Sequence, residues 1–272
     1  MGTLIAVYRG LIDDIFHRRR LDRIERYVTD DYQVDDVFRP ERGHGRTGLR
    51  DHAETALSGF REVRYDVTDA VEVGHRLATR YVVTARDPAG RRVAATGLSL
   101  HHARAGRLAR SWHVGDQRDL GVYSELDVPP DTLTRWMTPA DDIQIGPLGL
   151  DHRTLVARLY RELGPVDDVL DADYLPCDPF AERLGAGGTV AINRALRTGL
   201  ADVTFHILDA FEDEHRLATR FAVSGRRRGE AVTLPGVSIN EFEDGRIARA
   251  WIYCRYGRLA TLVRGALRRA AS

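Results

Sequence analysis

One hexapeptide occurs twice in this chain: His-Arg-Leu-Ala-Thr-Arg fills positions 75–80 and again positions 215–220, an offset of 140 residues. Its surroundings repeat too. Asp69 and Asp209 precede the two copies, and Tyr81-Val82 and Phe221-Ala222-Val223 follow them. Downstream, Gly106-Arg107-Leu108-Ala109-Arg110 is echoed by Gly245-Arg246-Ile247-Ala248-Arg249, and Trp112 by Trp251. Upstream, Asp31-Tyr32 with Asp36 is echoed by Asp173-Tyr174 with Asp178. Self-similarity at one long, fixed offset denotes a duplicated domain. In 272 residues, each copy is long enough to bury a core of its own. The boundaries read as a first domain over 1–126, a linker over 127–150 containing Pro129, Pro130, Pro139 and Pro147, and a second domain over 151–272.

Within each copy the apolar period changes from helical to alternating. Leu4, Ile5, Tyr8, Leu11, Ile12, Ile15 and Phe16 predict an amphipathic helix over 3–17, followed by a shorter one over 21–27 and a third over 49–59. The second copy predicts helices over 154–163, resuming through Val169-Leu170 after Gly164-Pro165, and over 189–199. Strands are predicted over 64–72, 76–85, 91–103 and 107–114, and over 203–211, 216–224, 231–242 and 246–255. A helical turn is expected at 132–137 inside the linker. Helices followed by an antiparallel meander predict an α+β class: two tandem cone-shaped α+β barrel domains, each with a cavity between its helices and its curved sheet.

Composition removes several chemistries. All forty cations are arginine, so no lysine is present for a Schiff base, a pyridoxal phosphate linkage or a P-loop. Forty acidic residues balance them, which leaves no global field for nucleic acid or an anionic membrane. No GxGxxG follows a predicted strand, so no dinucleotide or other cofactor is expected. Two cysteines without a CxxC pattern fit a reducing compartment. Without a signal-like N-terminus or a membrane-length apolar run, the expected location is cytoplasmic.

The order of elements, the Asp-Tyr step before the second helix–strand transition and the closing hairpin Glu241-Phe242-Glu243-Asp244-Gly245-Arg246 resemble the SnoaL-like polyketide cyclases, within the nuclear transport factor 2-like and ketosteroid-isomerase-like superfamily. The resemblance covers both halves, most clearly 63–120 and 203–260. It implies the cone fold and, because single-domain members pair as dimers, a pseudo-dimer within one chain that can stand as a monomer. In the family's aldol cyclases the base is an Asp seven residues past the hairpin Gly, assisted by a His seven residues before it. Those places hold His113 and Ser99 here in the first copy, and Ile252 and Ser238 in the second, so neither copy carries the pair.

The residues themselves point to the first copy. Seven of the ten histidines lie in the first 113 positions. If the last hairpin has a three-residue loop, Gly97, Ser99 and His101 share a face with Ala109, Ser111, His113 and Gly115. Leu98, Leu100, Trp112 and Val114 take the other face, and a two-residue turn reverses the assignment. A face of Gly, Ser and Ala leaves volume for a ligand. His113 is the candidate acid or base, with Asp36 or Asp116 as its orienting partner. His101 and Ser99 are candidate hydrogen-bond donors to a developing enolate or alkoxide. Tyr32, Trp112 and Phe16, with Asp178 and Tyr253 in the second copy, are the candidate substrate contacts. Each residue also has a plainer role: a satisfied structural histidine at 113, a turn cap at Asp36 and Asp178, a helix–sheet anchor at Tyr32, core packing at Trp112. His101, His113 and Asp36 would suit iron or zinc chemically, but the spacing carries no ligand motif and no metal is expected.

The expected function is therefore a cofactor-independent cyclase or isomerase using general acid–base catalysis on a polyketide-type or other hydrophobic small molecule. Two alternatives stand beside it. One is epoxide opening on the same fold, for which Asp36 or Asp178 would matter more than His113. The other is a non-catalytic small-molecule-binding or scaffold protein.

Overall fold

The computed structural model describes residues 3–36, 44–116, 130–140, 152–161, 169–176 and 186–270. It divides into two compact units, Met1–Tyr123 and Ser124–Ser272. In the first, helix α1 (Leu4–Leu11) continues without a break into a π-helical turn over Ile12–His17, and a 3-10 turn follows over Leu21–Arg26. The expected single helix over 3–17 thus changes pitch over its last six residues. The wider turn, closed by Arg18 N donating to Asp13 O at 2.9 Å, places Leu11, Ile12 and Phe16 together on one wall.

The sheet of this unit comprises β1 (Val28–Asp36), β2 (Arg61–Val73), β3 (Arg76–Arg86), β4 (Arg92–Arg104) and β5 (Arg107–Asp116), with helix α2 (Gly45–Gly59) between β1 and β2. Its spatial order is β1-β5-β4-β3-β2. The meander is antiparallel as expected, and β1 adds to it by joining β5 in parallel, so the five-stranded sheet is mixed. Parallel pairing needs a long crossover, here the whole of α2 and the meander, and no local sequence period announces it.

The second unit repeats the plan with α4 (His152–Arg161), β6 (Leu170–Pro176), α5 (Ala186–Gly199), β7 (Ala201–Glu212), β8 (Arg216–Arg227), β9 (Glu230–Glu243) and β10 (Arg246–Cys254), in the order β6-β10-β9-β8-β7. The expected helical resumption at Val169-Leu170 does not occur: Leu170 opens β6 and pairs with Ile247, a ladder contact that overrides local periodicity. The Gly164-Pro165 break lies outside the described residues. Two helices complete the unit. α3 (Pro130–Met137), within the stretch read as a linker, buries Trp136 completely, and the indole Nε1 donates to Phe221 O at 3.0 Å. Arg220, the last residue of the second hexapeptide, donates to Trp136 O and, at 2.8 Å, to Thr138 O, satisfying carbonyls at that helix's C-terminal end. α6 (Ala260–Ala270) was not expected, although Leu259, Val263 and Leu267, all buried, carry the four-residue spacing.

The closing hairpins reach the expected faces by a different route. Their turns have two residues, both with positive φ: Ala105 and Gly106 at 52° and 74°, Asp244 and Gly245 at 46° and 75°. Such a turn alone would reverse the faces. A one-residue bulge then shifts the register between His102 and Ala103, and correspondingly before Arg249, and restores them. Ser99 therefore opposes His113 and His101 opposes Ser111, while Leu98 and Leu100 oppose Val114 and Trp112.

Candidate active site

α1 with its π turn, α2 and the inner face of the first sheet enclose a cavity of about 280 Å³. Its wall is largely apolar: Leu11, Ile12 and Phe16 from the first helix, Leu49 and Ala56 from α2, Val34, Val63, Val83, Ala85 and Ala95 from the strands. Rings of Tyr8, Tyr32, Tyr65, Tyr81 and Phe60 add aromatic surface, and Asp36, His52 and His113 are the titratable groups of the other chemistry. A small apolar enclosure with a few converging polar groups is the usual form of a small-molecule site.

Asp36 and His113 are partners in the parallel β1–β5 ladder, so their side chains leave the sheet on the same face. Asp36 is 1 % exposed. Behind His113, on the neighbouring strand, Ser99 Oγ lies 2.7 Å from its Nδ1. A second chain runs alongside: the Tyr32 hydroxyl donates to Ser111 Oγ at 2.8 Å, Ser111 Oγ lies 2.7 Å from His101 Nδ1, and His101 Nε2 lies 3.4 Å from Thr79 Oγ1. Burial first, then the neighbouring His113 and His102, hold the His101 imidazole well below its ordinary pKa, so the ring is neutral. Ser111 already accepts from Tyr32 and directs its own proton to Nδ1, which leaves Nε2–H for Thr79. The two imidazoles meet edge to face with centroids 5.6 Å apart.

Aromatic side chains shape the rest. Tyr81 lies over Gly97, where a Cβ would stand 2.6 Å from the ring Cζ, so glycine is required for the ring to occupy that space. Tyr65 stacks on Tyr81 with centroids 5.0 Å apart, and its hydroxyl meets that of Tyr8 at 2.9 Å. Tyr8 in turn covers His101, centroid to centroid 4.4 Å.

The second unit holds the same lattice with the polarity removed. Tyr65, Tyr81, Ser111 and His113 correspond to Phe205, Phe221, Ala250 and Ile252, and these four belong to one apolar core cluster with Val156, Leu159, Ile192 and Leu196 from the helices. Asn240 takes the place of His101 and donates to Ser238 Oγ at 3.0 Å, which also meets Thr219 Oγ1 at 2.6 Å.

The expected site residues thus separate. His113, Asp36, Tyr32 and Phe16 line the cavity. His101 and Ser99 stand one layer behind it, fully buried, their polar atoms turned to Ser111, Thr79 and His113 rather than to a ligand. Trp112 is corrected: strand alternation puts it on the opposite face, where Arg110 lies 4.6 Å over its ring and also pairs with Asp35 at 3.0 Å. Tyr253 likewise alternates with Ile252 and lies, buried, on the opposite face of the second sheet. Asp178 and the side chain of Asp116 lie outside the described residues. Sequence reading missed His52, Tyr8, Tyr65 and Tyr81. The Tyr-to-Phe exchanges between copies at 65/205 and 81/221 were the available signal, and for His52 it was its place on the α2 face shared with Leu49 and Ala56. Among the described residues no group of three or more His, Cys, Asp or Glu has the geometry to hold a metal ion, and no helix is long and apolar enough to cross a membrane.

Helices closing one face of an open mixed sheet over an apolar, sparsely polar cavity define the first unit as a small-molecule cone domain, and the second unit repeats its fold. The SnoaL-like domain family matches residues 8–111 and 160–250, and the chain belongs to that family. Among solved structures it is similar to a SnoaL-like polyketide cyclase of Agrobacterium tumefaciens, at 22% identity over 44% of this chain and 97% of that one, with a TM-score of 0.39. IdmH of Streptomyces antibioticus gives 22% identity over 44% of this chain and 100% of its own, TM-score 0.39. An NTF2-like protein of Burkholderia pseudomallei gives 17% identity over 44% and 95%, TM-score 0.39. No curated protein matches.

Proposed function

We propose that the first unit is a cofactor-independent cyclase or isomerase that binds a hydrophobic, polyketide-type intermediate and acts by general acid–base catalysis. The observation that carries this reading is the Asp36–His113 pair: two titratable side chains, adjacent across a ladder, both opening on an apolar cavity of about 280 Å³. A carboxylate and an imidazole so placed can move a proton between two atoms of a bound molecule, an effect worth roughly 10²–10⁴ in rate. Membership of a family whose similar structures include a polyketide cyclase supports the substrate class. The second unit, with Ile252 at the matching position, supports the fold rather than the chemistry in this reading.

The test incubates the full chain and a His113→Ala variant with linear and partly cyclised polyketide-type ketones and follows products by mass spectrometry. Product from the natural chain, reduced about a hundredfold or more in the variant, is the expected result. Undiminished turnover by the variant removes His113 from the mechanism, and ligand-induced thermal stabilisation without any product assigns the cavity to binding alone.

A further inference from the structure

We infer that His113 meets the ligand as a neutral hydrogen-bond donor, with its tautomer set by the positioning residue Ser99, and that Asp36 is the base. This division of roles rests on the acid–base reading above for its chemistry, but the tautomer itself does not depend on that reading. It also reverses what family resemblance implies, since the residue on the last strand then receives no proton.

Ser99 is fully buried, and among the described residues its side chain has one hydrogen-bond partner, His113 Nδ1 at 2.7 Å. A hydroxyl has one proton to place. If Ser99 accepted from an Nδ1–H, its own proton would be left buried without an acceptor, which costs on the order of 1–3 kcal/mol. Donation to Nδ1 avoids that cost and requires a bare lone pair there, so the ring proton sits on Nε2. The adjacent histidine shows the same arrangement, and the same argument applies to it. Ser111 Oγ, also 2.7 Å from an imidazole Nδ1, accepts from the Tyr32 hydroxyl, and among the described residues Nδ1 of His101 is the acceptor in reach of its own proton. Two serines on one sheet face each hold a neighbouring imidazole in the same form.

With Nδ1 turned back to Ser99, Nε2 is the nitrogen that His113 presents on its cavity side. An Nε2–H has no lone pair to take a proton, but it stabilises negative charge that develops on an oxygen. A neutral imidazole donor of this kind is a known electrophilic device. Asp36 is the one carboxylate among the described cavity-lining residues, so proton removal falls to it. The fitting substrate is an enolisable ketone with an uncharged apolar body. Asp36 takes a proton from the carbon beside the carbonyl; the C–H electron pair becomes a C=C bond, and the carbonyl π pair moves to oxygen, which accepts the hydrogen bond from His113. The enolate then re-forms its C=O bond in one of two ways: it takes the same proton back from Asp36 at a different carbon, or it attacks a second carbonyl carbon, whose π pair moves to its own oxygen and receives the Asp36 proton; either way Asp36 ends as the carboxylate. No redox partner enters.

The test reads the ring nitrogens of His113 by ¹⁵N-correlated NMR on the ligand-free full chain above neutral pH, with the signals assigned by their loss in His113→Gln. A protonated, pyrrole-type Nε2 with a pyridine-type Nδ1 is expected, moving toward averaged values in Ser99→Ala as the other tautomer becomes populated. A pyridine-type Nε2, an imidazolium, or shifts unchanged in Ser99→Ala overturns the role of Ser99. This readout needs no substrate, so its failure is distinct from failure of the cyclase reading. Where turnover is found, Asp36→Asn should lose about a hundredfold in kcat or more, and more than His113→Gln, which keeps an N–H donor. An active Asp36→Asn overturns the assignment of the base.

Discussion

Tyr32 donates its hydroxyl proton to Ser111 Oγ at 2.8 Å, across the parallel pair that closes one edge of the first sheet. In the second copy the matching Tyr174 turns instead to Thr189 Oγ1 at 3.2 Å, because Ala250 stands where Ser111 does and offers no acceptor. The same tyrosine thus anchors either to the sheet or to α5, according to the residue on the neighbouring strand. In the first copy the bond also orders the line of hydroxyls and imidazole running to Thr79.

Tyr32→Phe should therefore lower stability by about 1–2 kcal/mol, the value of a buried hydrogen bond whose acceptor loses its donor. Urea midpoints of the two proteins at one pH measure it. A loss below about 0.5 kcal/mol, the range of an inert substitution, would show that the hydroxyl does no structural work.

His101 adds a pH dependence of predictable sign. Its ring is held neutral by burial, with His113 and His102 on the same side of the balance, and Tyr8 packed on its face. In the unfolded chain this histidine takes up a proton as pH falls through the ordinary histidine value, while the native ring does not. The unfolded state then binds more protons, so stability is flat above that value and falls below it. The slope approaches about 1.4 kcal/mol per pH unit for one proton. His101→Asn, which installs the residue found at Asn240, should flatten the acid limb of a plot of urea midpoint against pH. Parallel curves for the two proteins would contradict a neutral His101.

The cavity wall should discriminate by charge. No arginine is among its described residues, and Asp36 is the one carboxylate there. An anionic ligand would be desolvated without a partner. 2-Naphthol is accordingly expected to bind at least about tenfold more tightly than 2-naphthoate, a difference of about 1.4 kcal/mol. Competition against a fluorescent apolar probe measures both. Equal or tighter binding of the carboxylate would mean that a cation reaches the ligand.

The parts of this molecule that were legible beforehand are those written in short periods. Alternation along β4 and β5 separates Ser99, His101 and His113 from Leu98, Leu100 and Trp112, and the duplicated hexapeptide announces two copies. The face assignment came out as expected through two features that offset each other, a two-residue turn and a bulge, neither visible in the alternation itself. Long-range geometry was hidden. Nothing local says that β1 crosses to pair in parallel with β5, yet that pairing sets Asp36 beside His113. Nor does spacing tell a side chain that lines a cavity from one that stands behind it, as Ser99 and His101 do, because both share one face and differ only in what α1 lays over them. Trp112 was misread for the complementary reason: its neighbours in sequence are site residues, but its face is not theirs.

The duplication supplies its own control, because positions 113 and 252 are the same place in two copies with opposite contents. Ile252 is 5 % exposed and packed among apolar side chains, so Ile252→His puts a polar ring with unmet hydrogen bonds where dispersion contacts were. A loss of about 2–4 kcal/mol is expected. The reverse change, His113→Ile, adds apolar surface to an already apolar wall and leaves Ser99 without its imidazole. With the imidazole gone, Ser99 is able to turn away to Thr79, a bond it does not make while it faces His113: Thr79 opposes it in the ladder as Thr219 opposes Ser238, and that second pair is bonded at 2.6 Å. His113→Ile should therefore cost less than about 1 kcal/mol while abolishing any turnover, the behaviour of a residue kept for chemistry rather than for stability. Urea unfolding of both variants checks the asymmetry. Equal losses would mean that His113 is as much a part of its core as Ile252 is of the other.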